Sequence, residues 1–303
     1  MAGVITTGST PKLLWPGLNS MWGLAYNEHV PQWKEIFPTF KSDKAYEEDV
    51  GLTGMGLAPV KPEGDSLVYD TMKQSFVSRY TNIAYSLGYI ITREEIADNL
   101  YGQFGGQRAR NVAFSMNQSK ENVAANILNR AFNASYTGGD GVSLINSSHP
   151  TEGGTLSNTL TTAADLSEAS LEQALIDIKD FRDNRNNHIS YMGESLVVPH
   201  QLEFEATRIL KNPERPGTAD RDISAMYKMG SLPGGIKVNV YLTDSDAWFI
   251  LTSCPDGLKH FSREAPRFEA DNDFDTKNAK FSGYERYSFG WTDWRGIYGS
   301  PGA

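Results

Sequence analysis

Large apolar side chains crowd both ends of the chain and are spaced differently in between. Residues 1–40 carry Trp15, Trp22, Tyr26, Trp33, Phe37 and Phe40, with Pro11, Pro16, Pro31 and Pro38 among them. Prolines break long helices, so the segment reads as an irregular arm. Its aromatics need burial on some surface, of this chain or of a neighbour. Between 41 and 92, "GLTGMGLAPVKPEGD" is rich in Gly and Pro and reads as an extended loop. "SLVYDTMKQSFVSRYTNIAYSLGYIIT" follows, with β-branched and aromatic residues in partial alternation, and reads as strand. Together they predict a long β-hairpin with a glycine-rich tip. Loops of that length inside compact domains are usually functional.

From Thr92 the period turns helical. Thr92 and Glu95 have the spacing of a capping box. Gly102, Gly105 and Gly106 predict an interruption. Beyond it Ala109, Val112, Ala113, Met116, Val123, Ile127, Leu128 and Ala131 recur every three to four residues, one stripe on a helix of about seven turns. After a polar loop, Ser170 and Gln173 predict the cap of a second helix, with Leu171, Ala174, Leu175 and Ile178 facing a core. "SLVVP" (195–199) reads as a short buried strand. It feeds a third helix with Leu202, Ala206, Ile209 and Leu210 on one face. Strands are predicted at 236–242, 247–252 and 257–261, and a last one from near Thr276 past Phe289. In the last, Tyr287, Phe289 and Trp291 point one way, and Arg286, Ser288 and Thr292 the other. Helix, strand and helix in the middle form a mixed α/β unit, and the whole is of the α+β class.

Composition narrows the function more than it defines it. The 303 residues carry a net charge of −9, with no basic run. That disfavours a protein that grips nucleic acid through its phosphates. The single cysteine, Cys254, excludes an intrachain disulfide. In "TSCPDG" it reads as a small residue before a turn rather than a nucleophile. The N-terminus lacks the basic start and apolar run of a signal peptide, and no stretch approaches the ~18 apolar residues of a membrane helix.

The search for chemistry nominates no catalytic, cofactor-binding or metal residue. His29, His149, His188, His200 and His260 show no metal-ligand spacing. "DNDFD" (271–275) starts like a calcium loop, but Thr276 and Ser282 stand where Gly and Glu are required. "TGGDG" and "GLTGMG" lack the Lys of a phosphate loop. Glu94–Glu95 and Glu203–Glu205 read as solvated helix faces. An α/β enzyme with a site between domains stays open as a rival of another class.

What stands out is structural: an aromatic arm, a protruding hairpin, a long helix and an aromatic C-terminal strand. Arms and hairpins bury themselves poorly on a monomer but well across neighbours, where obligate interfaces reach ~2,000–5,000 Å². Five segments then carry a resemblance: "LNRAFNASYTGGDGVSLINSSHP", "SNTLTTAADLSEASLEQALIDIKDFRD", "SLVVPHQLEFEATRILKNPERPGTADRDI", "YLTDSDAWFILTSCPDGLKHFSRE" and "YERYSFGWTDWRGIYGS". In order and spacing they resemble the major capsid proteins of tailed double-stranded DNA bacteriophages, of the HK-ninety-seven-like fold, and within these the Mu-type major head subunit. The first ninety residues match in organisation only.

The resemblance implies an N-terminal arm (1–40), an extended loop (41–92), a peripheral domain with a spine helix (93–159), an axial domain (160–250) and a return to the peripheral domain (251–303). It implies inter-subunit contacts at Trp15, Trp22 and Trp33 of the arm and at Leu52, Met55 and Leu57 of the loop. It also implies a peripheral core holding Val123, Ile127, Tyr287, Phe289 and Trp291. The implied work is assembly. Hexamers and pentamers of this chain, assembled in the host cytoplasm, would close the icosahedral head of the virion around DNA that they do not bind by sequence. No cofactor or catalysis is implied. The chain opens directly on the arm, so a separate scaffolding protein is expected, beside a portal and, in some members, a cement protein. The nearest rival is an encapsulin-type compartment shell, which shares the fold and encloses protein.

Overall fold

The computed structural model describes residues 15–98, 101–213, 223–273 and 278–303; of residues 15, 16, 96, 97 and 101–104 it describes the backbone only. The expected arm is helical where it is described. Helix α1 (Trp15–Glu28) has Pro16 in its first turn, where the missing N–H breaks no bond. The prolines therefore delimit the helix instead of breaking it. A 3₁₀ turn (Gln32–Glu35) and strand β1 (Thr39–Lys41) follow.

The segment expected as one hairpin divides in two. Strands β2 (Tyr46–Leu52) and β3 (Gln74–Thr81) pair antiparallel, with Tyr46 opposite Thr81. Strand β4 (Ile83–Ile91) leaves them and joins a larger sheet. After α2 (Arg93–Ala97), helix α3 (Tyr101–Asn129) runs through all three glycines expected to interrupt it. Packing gives the reason. A Cβ on Gly106 would lie 2.6 Å from Met21 Sδ, so this glycine lets α1 cross close to α3.

A small hairpin of β5 (His149–Thr151) and β6 (Gly154–Leu156) precedes α4 (Glu168–Lys179). The cap of α4 is Ser167, three residues before the expected one. Ser170 completes the box from inside the helix, accepting from and donating to the cap. Strand β7 (Gly193–Pro199), helices α5 (Glu203–Lys211) and α6 (Ala225–Met229), and strands β8 (Ile236–Asn239) and β9 (Trp248–Thr252) build the middle unit. Long strands β10 (Leu258–Asn272) and β11 (Ala279–Trp291) and short β12 (Ile297–Ser300) end the chain.

Two four-stranded sheets result, ordered β1-β10-β11-β4 and β12-β9-β7-β8. Helices α1 and α3 cover one face of the first through Leu18, Trp22, Val112, Met116, Phe268 and Phe281. Met116 lies over Gly283, whose hypothetical Cβ would fall 2.3 Å from the sulfur. Alternation along β7 splits the second sheet between two cores. Leu196 and Val198 face α4, α5 and α6, whereas Val197 faces Trp33, Phe37, Ala124 and Leu128. The end of α3 and the 3₁₀ turn thus share an apolar core with the second sheet.

The aromatic C-terminus is interior, and it serves both sheets. Tyr287 is fully buried, and Phe289 and Trp291 are partly buried against the shared core. Val123 and Ile127 on α3 are half-buried, Ile127 against that same core. Strands β10 and β11 lie in the first sheet, but β12 does not follow them. It pairs with β9, sending Ile297 into the shared core and Tyr298 under α4. At the crossing, Gly257 and Gly296 touch backbone to backbone, with only 2.3 Å between a Cβ on Gly296 and the Gly257 Cα.

Candidate assembly site

The hairpin β2–β3 is the chain's most exposed apolar feature among the described residues. Its ladder ends near the bond from Thr53 N–H to the Lys73 carbonyl, 2.9 Å. No strand continues between Thr53 and Lys73. Leu52, Met55 and Leu57 are exposed, Leu57 at 83%, and so are Val60, Leu67, Val68 and Tyr69. Gly and Pro keep this ribbon from folding into a core of its own.

Polar contacts anchor the hairpin where it leaves the body. Lys259 Nζ reaches Asp49 Oδ2 at 2.7 Å and Asp256 Oδ1 at 2.9 Å. Burial works against the Lys259 charge, but the two carboxylates outweigh it and hold the ammonium above its ordinary value. Thr292 donates to Asp49 at 2.7 Å and meets the Tyr80 hydroxyl at 2.6 Å. Beyond this base, weaker ties hold the ribbon down. Asp70 Oδ2 accepts from Gly56 N–H at 2.8 Å and from Arg185 Nη1 at 2.5 Å, and Arg185 also donates to the Thr71 carbonyl. Lys73 meets Glu152 at 2.8 Å. The Gly56 and Thr71 N–H groups, then Arg185, hold the Asp70 carboxyl below its usual range. Exposed pairs of this kind add little to stability. The base is therefore firm and the ribbon lightly latched.

The arm behaves differently from its expectation. Trp22 and Trp33, read as contacts to a neighbour, are each 5% exposed and buried against their own chain. Trp22 stacks on Tyr26 and Phe268, with centroids 5.1 and 5.7 Å away. Trp33 sits edge-on to Phe289 at 5.4 Å. Polar groups on α3 explain the docking. Glu121 accepts from the N–H groups of Gln32 (2.8 Å) and Trp33 (3.2 Å) and faces His29 Nε2 at 3.2 Å. Asn117 donates to the Tyr26 carbonyl at 2.9 Å. Lys120 pairs with Glu285 at 3.1 Å, and the Tyr26 hydroxyl donates to the same carboxylate at 3.0 Å. Burial lowers the Lys120 pKa, partly opposed by Glu285. Sequence reasoning missed these three residues. The available signal was that Asn117 and Lys120 continue the buried phase of Ala113 and Met116, yet are polar. The Trp15 side chain lies outside the described residues.

Burial pushes the Cys254 thiol up to about 11, so it is not poised as a nucleophile. His149 is buried, 2.6 Å from Asp140 and 3.1 Å from Asn158 Oδ1, and stacked on Trp294. A cavity of about 440 Å³ at the hairpin base is lined by Asp49, Asp140, Asp256 and Asp293. Each of these carboxylates already faces Lys259, His149 or Arg295. Among the described residues no group of three or more His, Cys, Asp and Glu could hold a metal ion. The acidic turn 271–275 lies partly outside them. No described helix is long and apolar enough to cross a membrane.

Three buried cores, a clamped arm and an uncovered ribbon describe a subunit that presents surface to others. Comparison with known proteins agrees. Residues 77–300 match the family model described as phage capsid protein, and the chain belongs to that family. It is a phage capsid shell protein of the virion, with the HK-ninety-seven-like fold. Solved structures give the same fold at low identity. A virus-like particle from Pyrococcus furiosus is 10% identical with a TM-score of 0.54, covering 95% of this chain and 99% of that one. A phage-related protein from Bordetella bronchiseptica RB50 is 12% identical with a TM-score of 0.52, covering 94% and 95%. The procapsid of bacteriophage JBD30 is 14% identical with a TM-score of 0.51, covering 96% and 75%. The search among curated proteins returned no match.

Proposed function

We propose that this chain is the major head subunit of a tailed double-stranded DNA phage, of the Mu type, and that it acts without catalysis. Copies form hexameric and pentameric capsomers that close an icosahedral shell around the genome. The observation that carries this reading is the β2–β3 hairpin, which exposes Leu52, Met55 and Leu57 on a ribbon that its own chain does not cover. Such a ribbon suits a neighbouring copy. The arm contributes by locking the spine helix α3 to the first sheet, so Trp22 and Trp33 stiffen the subunit rather than bridge it. The first sheet with α3 serves as the peripheral domain and the second sheet with α4–α6 as the axial domain. A shared apolar core joins the two, and the carboxylates of the cavity at the hairpin base are already paired with Lys259, His149 and Arg295. A net charge of −9 suits a wall that contains DNA without gripping it. Scaffolding, portal and cement proteins are the partners such a shell uses.

Deleting Gly51–Gly64 tests the reading. The expected product is a folded subunit, with an unchanged far-ultraviolet spectrum, that forms no closed particles; normal particles would sink it. A compartment shell enclosing protein is the second reading, favoured by the likeness to a virus-like particle. Nuclease-protected DNA inside purified particles supports the phage head, and a single enclosed enzyme supports the compartment.

A further inference from the structure

We propose that the outer edge of β4 pairs antiparallel with β4 of a second copy of this chain, about a two-fold axis at Leu87, so that two four-stranded sheets join into one continuous sheet. The inference rests on the shell reading above and adds to it a particular edge, register and symmetry.

The edge is open and unguarded. β4 is the outermost strand of the first sheet. Among the described residues its backbone hydrogen bonds run to β11 and to no other segment. Natural proteins blunt such edges with charge, proline, a bulge or shortness. β4 has none of these. It runs nine residues, Ile83–Ile91, without a charged residue or a proline. Its ladder with β11 is regular from Ile83 opposite Tyr287 to Ile91 opposite Ala279, whereas β10–β11, β2–β3 and β7–β9 all carry register shifts. Ile83, Leu87 and Ile90 are exposed along it. A long, regular, apolar edge is a template for another strand.

The strand's own sequence names the occupant. Read outward from Leu87, "IAYSLGYII" matches itself by residue class: Ser86 answers Gly88, Tyr85 answers Tyr89, Ala84 answers Ile90 and Ile83 answers Ile91. An antiparallel pair centred on Leu87 sets these residues opposite one another, and Leu87 meets its counterpart on the axis. Leu87, the two tyrosines, Ile83 and Ile91 share one face of the strand, so that face gains aromatic and β-branched cross-strand pairs. The tyrosines are already held in place, Tyr85 stacked on Tyr287 and Tyr89 on Phe281 at 4.6 and 5.1 Å. A two-fold contact needs a patch complementary to itself. The exposed strand β2 fails that requirement, because pairing about its centre would set Asp49 against Asp49. A strand pair about 30 Å long and one sheet thick covers roughly 300 Å² per copy, short of the ~1,200–2,000 Å² in total that a stable complex buries. The pairing therefore holds where other contacts already gather the copies, as they do in a shell.

The test uses the full chain assembled into particles, in a Cys254→Ser background. Leu87→Cys and Ile83→Cys are made separately and treated with a short bismaleimide. Facing Cβ atoms at the axis lie about 5 Å apart, so Leu87→Cys should give a covalent dimer on a denaturing gel. Ile83 lies on the same edge and face, but its counterpart is eight residues along, about 26 Å away, so Ile83→Cys should stay monomeric. Monomer from Leu87→Cys, or equal dimer from both variants, would overturn the pairing while leaving the shell reading intact. If the unmodified chain never forms particles, the shell reading falls and the pairing with it. As a second measure, Leu87→Lys and Leu87→Glu should each raise the concentration needed for assembly at least tenfold, with an unchanged melting temperature, because like charges then meet on the axis. Mixing the two in equal amounts should restore assembly. An unchanged threshold for Leu87→Lys, or no rescue on mixing, would count against the pairing.

Discussion

His260 makes the folded subunit sensitive to acid, and its surroundings set by how much. The ring lies between Trp33 and Phe289, each with its centroid 4.4 Å away. Its Nδ1 meets the Thr39 hydroxyl at 3.2 Å, and its Nε2 is buried with no hydrogen-bond partner. Burial, reinforced by the positive charges of Lys120 and Lys34, pushes the pKa from 6.5 down to about 3. The sign follows from linkage. Above pH 6.5 the ring is neutral in both states and adds no pH dependence. As pH falls below 6.5 the unfolded chain takes up a proton that the folded chain refuses, so stability is lost until about pH 3. Each pH unit is worth about 1.4 kcal/mol, so on the order of 4–5 kcal/mol disappears over the window. Between pH 6.5 and 4.5 the loss is about 2 kcal/mol, because the unfolded ring is already half protonated at the start. Urea denaturation of the dispersed subunit across this range measures it. His260→Gln removes the titration and should flatten the profile by about that amount, whatever its stability at neutral pH. Equal pH dependence in the two proteins would refute the burial argument.

Three further predictions concern the clamp, the latch and the shared core. Lys120→Met alone should cost ~3–5 kcal/mol by stranding the Glu285 carboxylate, whereas Lys120→Met with Glu285→Leu should restore much of the loss; chemical denaturation of the single and double variants reads both. Arg185→Ala should leave the subunit's melting curve almost unmoved yet free residues 54–72, seen as faster proteolysis within that ribbon at low salt. Phe289→Ala removes edge contacts to Trp33 and Phe37 at 5.4 and 5.1 Å. Because the ring is only partly buried, it should cost ~2–4 kcal/mol, and an unmoved melting curve would contradict its place in the core.

Much of the fold was legible because its signals are local. The stripe from Ala109 to Ala131 predicts α3, and the alternation of Tyr287, Phe289 and Trp291 predicts a core-facing strand. The misreadings have non-local causes. Gly102, Gly105 and Gly106 read as a break because the close passage of α1, with Met21 over Gly106, cannot be seen from α3 alone. Trp22 and Trp33 read as neighbour contacts because an aromatic says that it must be buried, not where. Their destination depends on Asn117, Lys120 and Glu121, almost a hundred residues away. The Arg185–Asp70 latch and the move of β12 into the second sheet are likewise tertiary events without a periodic signature. The hairpin was legible for a different reason: Gly and Pro between apolar residues forbid both helix and core, and leave exposure as the remaining outcome.

The most direct test of the shell is electron microscopy of the protein, expressed alone and beside a candidate scaffolding protein. The account predicts closed shells, tubes or capsomer rings in at least one sample, with residues 54–72 lying on an adjacent copy at subunit resolution. Well-folded monomers or dimers in both samples would contradict it.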